Sequence, residues 1–264
     1  MAAQDVGVHH SGAIKQFEVR DIRAKDIIDA IKLGVEDFNA KPSHLLLLGL
    51  IYPIAGALGA AWAFGSDLAP LVLPIVGGYA LMGPFAAVVL YRVSRRREQG
   101  RDFPWTDAFT KWTGPNGRTI AVLGLILVAV FMVWLWIARI IYESTIGTIG
   151  FSTGEEFLRL VFTTREGWTL ILLGNGVGFL LAVLVLATNV ISFPMALDHE
   201  VGPIVAIQTS LRAALANPKA MMLWGLIIVS SMIVGAALLL VGLAVVLPVL
   251  GHASWHVYRK VIAH

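Results

Sequence analysis

Between Met221 and Tyr258 the chain runs for 38 residues with no acidic or basic side chain except two histidines. As one helix this stretch would be ~57 Å long at 1.5 Å per residue, nearly twice a bilayer core of ~30 Å. It therefore reads as two membrane segments, 221–240 and 244–262, with a tight reversal near Val241-Gly242-Leu243. One long span followed by a re-entrant or interfacial helix after Pro248 is the alternative. Four more apolar runs have spanning length: 45–64, 68–91, 120–141 and 170–193. Pro70, Pro74 and Pro84 lie along the second and predict kinks, which neighbouring helices can tolerate inside a membrane.

Composition agrees. Charged residues make up only 14% of the chain, against roughly 25% in a soluble domain, so most of the surface must face lipid. The absence of cysteine excludes disulfides, thiolate metal sites and a cysteine nucleophile. The expected fold is all-α: a polytopic membrane helix bundle of about six transmembrane helices with amphipathic interfacial helices. Residues 1–43 form a cytoplasmic N-terminal segment, and 44–262 the transmembrane domain.

Within the N-terminal segment, residues 21–38 have a helical pattern, with Ile28, Ile31, Val35 and Phe38 on one face and Asp26, Asp29, Lys32 and Glu36 on others. Such a helix lies flat on the bilayer or packs on the protein's own cytoplasmic parts; Pro42 ends it. Two further amphipathic stretches fall in the connections. One covers 155–162; the other carries Ile204, Ile207, Leu211 and Leu215 and stops at Asn217-Pro218.

Charge distribution sets the orientation. With the N-terminus inside, 17 of the 20 Lys and Arg residues fall on the cytoplasmic side, as the excess of basic residues in cytoplasmic loops requires. The same count leaves five spans open beside six. The run Arg95 to Arg97 reads as the topology determinant, with anionic lipid as a secondary contact. A nucleic-acid partner is not expected for so short a cluster.

Few residues suggest chemistry. His252 and His256 are four apart and share a helix face. They are candidates for cofactor binding, as a pair able to hold a metal or border a haem. In the alternative, both hydrogen-bond to backbone or lipid at the cytoplasmic interface, since no acidic residue lies near them in sequence. His44 and His199 fall on the same side of the membrane. No bound cofactor or metal is expected. Arg139, near the outer end of its span, reads as a snorkelling side chain paired with Glu143. Asn175, Asn189, Gly174 and Gly178 read as helix-packing residues, glycines allowing close approach and amides bonding across the contact. Asp198-His199-Glu200 reads as a solvated loop. There is no H-E-x-x-H and no G-x-S-x-G, so no enzyme activity is expected.

The segments Ala206-Ile-Gln-Thr-Ser-Leu-Arg-Ala-Ala-Leu-Ala-Asn-Pro218, Met221-Met-Leu-Trp-Gly225 and Leu247-Pro-Val-Leu-Gly-His-Ala-Ser-Trp-His-Val-Tyr-Arg259 resemble a bacterial family of predicted integral membrane proteins of unknown function (domain of unknown function 2189). The resemblance extends over about residues 40–262 and implies the bacterial inner membrane, with both termini cytoplasmic. Some members carry a label relating them to cytochrome c oxidase subunit I. A haem–copper subunit has about twelve spans and six histidine ligands, whereas His252 and His256 are the only plausible pair near a span here. The label then implies association with a respiratory complex rather than its catalysis. The expected function is a non-catalytic accessory or assembly subunit of a membrane complex, with membrane lipids and other membrane protein subunits as partners. A small-solute transporter or channel is one alternative and a haem- or metal-binding membrane protein another.

Overall fold

The computed structural model describes residues 17–40, 51, 53–62, 69–101, 115–151, 153–238 and 241–263. Pro42 and His44, Gly65-Ser66-Asp67, where the sequence predicts a tight turn, and Phe103, Trp105, Phe109 and Trp112, which it predicts to dock at the interface, lie outside them. The described residues form an all-α membrane protein whose helices end where the sequence carries breakers. These are α1 (Ala24–Ala40), α2 (Pro53–Trp62), α3 (Val72–Ala80), α4 (Gly83–Ala86), α5 (Val88–Glu98), α6 (Pro115–Glu143), α7 (Gly154–Thr163), α8 (Arg165–Asn189), α9 (Ser192–Asp198), α10 (Pro203–Ala216), α11 (Pro218–Ala237) and α12 (Val241–Val261).

Local chemistry sets the boundaries. Thr153 and Thr164 cap α7 and α8, accepting the backbone N–H of Glu156 and Gly167 at 3.1 and 3.0 Å. Such caps satisfy amides that have no partner within the helix. Pro203 and Pro218 open α10 and α11, where a missing N–H costs nothing. Between α8 and α9 the chain breaks at Val190-Ile191, three to four residues before Pro194, which cannot donate to the preceding turn. Ser210 of α10 repairs that break: its hydroxyl donates to the Ala187 carbonyl at 2.8 Å and accepts the Ile191 N–H at 3.2 Å.

Among the described residues three helices are long and apolar enough to cross a membrane: Pro115–Glu143, the run Arg165–Asp198 and Pro218–Ala237. They coincide with the expected spans 120–141, 170–193 and 221–240. The expected span 68–91 is divided into α3, α4 and α5, and α5 runs on to Glu98, so the arginine run is helical rather than loop. The reversal before α12 falls ahead of Val241. There Gly235 and Gly242 let α11 and α12 touch: a Cβ on Gly242 would lie 2.7 Å from the Gly235 carbonyl oxygen.

The core lies at the basic end of the bundle. Ile27 and Ala30 of α1, Tyr91 of α5, Phe193 and Met195 of α9, Trp224 of α11 and Trp255 and Tyr258 of α12 are buried together. Helix α9, which begins at the end of the expected span 170–193 and runs beyond it, is therefore core. Helix α1 packs along α12, which decides between bilayer and protein for the N-terminal helix. Its buried face is Ile27, Ala30, Gly34, Asp37 and Phe38, while Ile28 and Val35 are exposed. Of the expected apolar face, Phe38 is buried and Ile31 packs against the core, while Ile28 and Val35 point away from it. Close approach selects small residues: a Cβ on Gly34 would lie 2.7 Å from the Ala253 nitrogen and 2.9 Å from the Val249 oxygen. The segment before α1 pairs with the end of α12 through an antiparallel bridge, Val19 to Ile262. Asn217 pins it further, accepting the Ile22 N–H at 2.7 Å and donating to the Arg20 carbonyl at 3.1 Å.

Candidate functional site: a buried carboxylate centre

The helical period places Asp37 one turn beyond Gly34, so the contact that brings α1 onto α12 also carries a carboxylate into the core. Asp37 is only 6% exposed, and a buried charge requires partners. Four are present. Ser94 donates its hydroxyl to Oδ2. His256 donates from Nε2 to the same oxygen at 2.8 Å, and Arg97 pairs with Oδ1 at 2.8 Å. His252 stands 3.8 Å from Oδ2 through Nδ1.

The serine has one proton, and that proton goes to Asp37. His252 therefore carries its own proton on Nδ1 and donates it to Ser94 Oγ at 2.7 Å. This leaves Nε2 of His252, fully buried, with no hydrogen-bond partner among the described residues. The result is a linear chain: His252, Ser94, Asp37, His256. Both arms donate toward the Asp37 carboxylate, and together they lock three helices. Burial alone would raise the Asp37 carboxyl. Hydrogen bonds from His256 and Ser94, and the positive charge the two histidines can carry, outweigh it and hold the carboxyl below its ordinary value.

A lowered folded value has a defined sign. The stabilisation by Asp37 is complete above the ordinary carboxylate value of 3.8 and is lost as pH falls through the lower folded value. The stability difference between the native chain and Asp37→Asn should then be flat from neutral pH down to about 5 and shrink below 4. Unfolding in detergent at a series of pH values measures it, and a gap that already changes between pH 7 and 6 would overturn its assignment to the carboxyl.

A second node adjoins the first. Asp198 pairs with Arg95 at 2.9 Å and accepts the Tyr258 hydroxyl at 2.9 Å, with Arg259 3.6 Å away. Glu98 accepts from Arg259 at 2.9 Å and from Trp255 at 3.3 Å. The reading of 198–200 as a solvated loop is corrected for Asp198, which anchors α9 to α5 and α12. Neighbouring His199 lies 3.7 Å from the Asp198 carboxylate and stacks near Phe17. Two arginines of the run 95–97 are likewise tied to carboxylates.

His252 and His256 thus share one carboxylate, His256 by a direct hydrogen bond and His252 through Ser94. Among the described residues no group of three His, Asp or Glu is arranged to hold a metal. Ser94 is 1% exposed, so its hydroxyl is closed to a substrate. The packing candidates scatter. Arg139 pairs with Glu143 at 2.7 Å on an exposed face. Asn189 is buried and bonds back to the Val185 carbonyl at 2.9 Å. Gly178 lies against Trp134, whose indole N–H donates to the Pro74 carbonyl at 2.7 Å. Asn175 and Gly174 find no neighbouring helix within the described chain: Asn175 is exposed and bonds to its own helix at Ile171, and a Cβ on Gly174 would meet nothing.

The sequence carries no local signal for Asp37 or Ser94. Both become functional-site residues only through helices far apart in the chain. Compared with known proteins, residues 72–198 match the family model described as predicted integral membrane protein (DUF2189). The matched stretch covers α3 to α9, upstream of the segments 206–259 that carry the resemblance by eye. No curated protein and no solved structure matches the chain.

Proposed function

We propose that this chain, whose residues 72–198 match the model of the DUF2189 family of predicted integral membrane proteins, is a non-catalytic accessory or assembly subunit of a larger inner-membrane complex. The observation that carries the reading is the apolar surface on helices outside the candidate spans. Ile204 and Leu215 of α10 are 70% and 71% exposed, and Leu158 and Phe162 of α7 are 56% and 60% exposed. The inward face of α10 is instead Ala206, Thr209, Ser210 and Ala213. Apolar patches rimmed by polar residues on such connecting elements mark interaction surfaces. The buried carboxylate centre supports the same reading, because its hydrogen bonds run between its own members and hold helices in place.

The topology follows as a proposal. The bridge between Val19 and Ile262 brings both ends of the described chain to one side, which supports an even number of crossings and favours six over five. The basic residues on that side support a cytoplasmic location for both termini.

The test is extraction of tagged protein from its native membrane in mild detergent, with mass spectrometry and a visible spectrum on one sample. Stoichiometric foreign subunits are expected, and respiratory haem bands would identify the complex. The double variant Ile204→Glu, Leu215→Glu should release them while the protein stays folded. A native protein that always runs without other subunits overturns the reading.

A further inference from the structure

The exposed face of α8 holds a feature that lipid does not explain. In the most apolar stretch of this run only 6% of residues are buried within the chain. Its outward side carries Leu172 and Phe179, 69% and 67% exposed, and Val183, 47% exposed. Between them stand Asn175, also exposed, and Gly176, where a Cβ would meet nothing within 4 Å. Trp168, half exposed, suits the membrane interface, and Asn175 lies seven residues, about 10 Å, deeper. At that depth acyl chains offer no hydrogen bond. Among the described residues the carboxamide makes one hydrogen bond, from Nδ2 to the Ile171 carbonyl at 2.8 Å. Its Oδ1 and second N–H are left over, and unsatisfied polar groups in hydrocarbon are costly.

We propose that this face of α8 is the contact between two copies of the chain. In a closed symmetric pair, two copies inserted in the same direction are related by a twofold axis along the membrane normal, which sets Asn175 of each at the same depth. A carboxamide is both donor and acceptor, so Asn175 against Asn175 satisfies both copies with reciprocal Nδ2–H to Oδ1 bonds, and the contact is self-complementary as a twofold requires. Gly176 removes the side chain that would hold the backbones apart. Leu172, Gly176, Phe179 and Val183 recur at spacings of four, three and four, the seam of a left-handed helix pair. This pairing is separate from the recruitment of foreign subunits and stands or falls without it.

The chain contains no cysteine, so single cysteines report the contact cleanly. Leu172→Cys, Gly176→Cys and Phe179→Cys would each be oxidised in native membranes. Val177→Cys and Leu181→Cys, on the side packed against α6, are the controls. The outward positions should give a disulfide-linked species at twice the 28.5 kDa monomer mass, and the controls should not. Asn175→Leu placed in the Leu172→Cys chain should cut that product about fivefold, in line with roughly 1 kcal/mol for an interhelical hydrogen bond. Outward positions that link no better than the controls, or that link only to a foreign protein, overturn the proposal.

Discussion

Asp37→Ala should lower the unfolding free energy in detergent by about 3–5 kcal/mol, the usual result of removing one member of a buried, hydrogen-bonded charge group. The loss has several sources. Ser94 and His256 are left inside the core without their acceptor, and each unsatisfied polar group adds roughly 1–3 kcal/mol. Arg97 contributes less, because its side chain is 43% exposed and solvent screens such pairs to about 1 kcal/mol or below. The order of effects is therefore Asp37→Ala, then Asp37→Asn, which keeps an acceptor oxygen, then Arg97→Met. Equilibrium unfolding of the three variants tests it. An Asp37→Ala chain within roughly 1 kcal/mol of native, little beyond the effect of an ordinary surface change, would mean that the centre holds nothing together.

Gly34→Leu is expected to have the second large effect, through shape rather than charge. A side chain here would meet the Ala253 nitrogen and the Val249 oxygen, and backbone atoms of a packed helix cannot move aside. Overpacking of this kind costs about 1–3 kcal/mol or more. Helix α1 would lift, carrying Asp37 one turn further on away from its partners. The two substitutions should consequently be non-additive: the double variant should be scarcely worse than the more damaged single one, since residues in one network couple. Limited trypsin digestion at Arg23 and Lys25 should accelerate when α1 leaves α12. Gly77→Ala is the control: a Cβ there meets nothing, and an alanine in the middle of α3 should gain about 0.5–1 kcal/mol. Additive losses, or digestion as slow as native, would sink this account.

These two residues also show what the sequence can and cannot carry. Charge-free runs of bilayer length reveal α6, α8 and α11, because the bilayer imposes one length on whatever crosses it. The pairing of His252 with His256 is equally local, since a helix repeats every four residues. The face of α1 is another matter. Large apolar residues point to Ile28 and Val35, yet the helix docks through Ala30 and Gly34, because the contact with α12 is close enough to select for lack of volume. Hydrophobicity alone cannot register that choice. Asp37 and Ser94 were beyond reach for a related reason: nothing within 50 residues of either tells that it meets a histidine of α12. Asp198 reads as loop until Arg95 and Tyr258 are seen on it.

The closure of α1 on α12 also has a schedule. Asp37 and His256 are 219 residues apart. With elongation at ~5–20 residues per second, the carboxylate emerges from the ribosome about 10–45 s before its partner is made. Throughout that interval α1 has no place to dock, and the intervening helices enter the bilayer without the element that will fasten their basic end. A charge near the end of its inner face suits such a wait. It keeps the unpaired helix wetted and discourages it from sinking into lipid, until the last helix arrives and the same charge becomes the fastening.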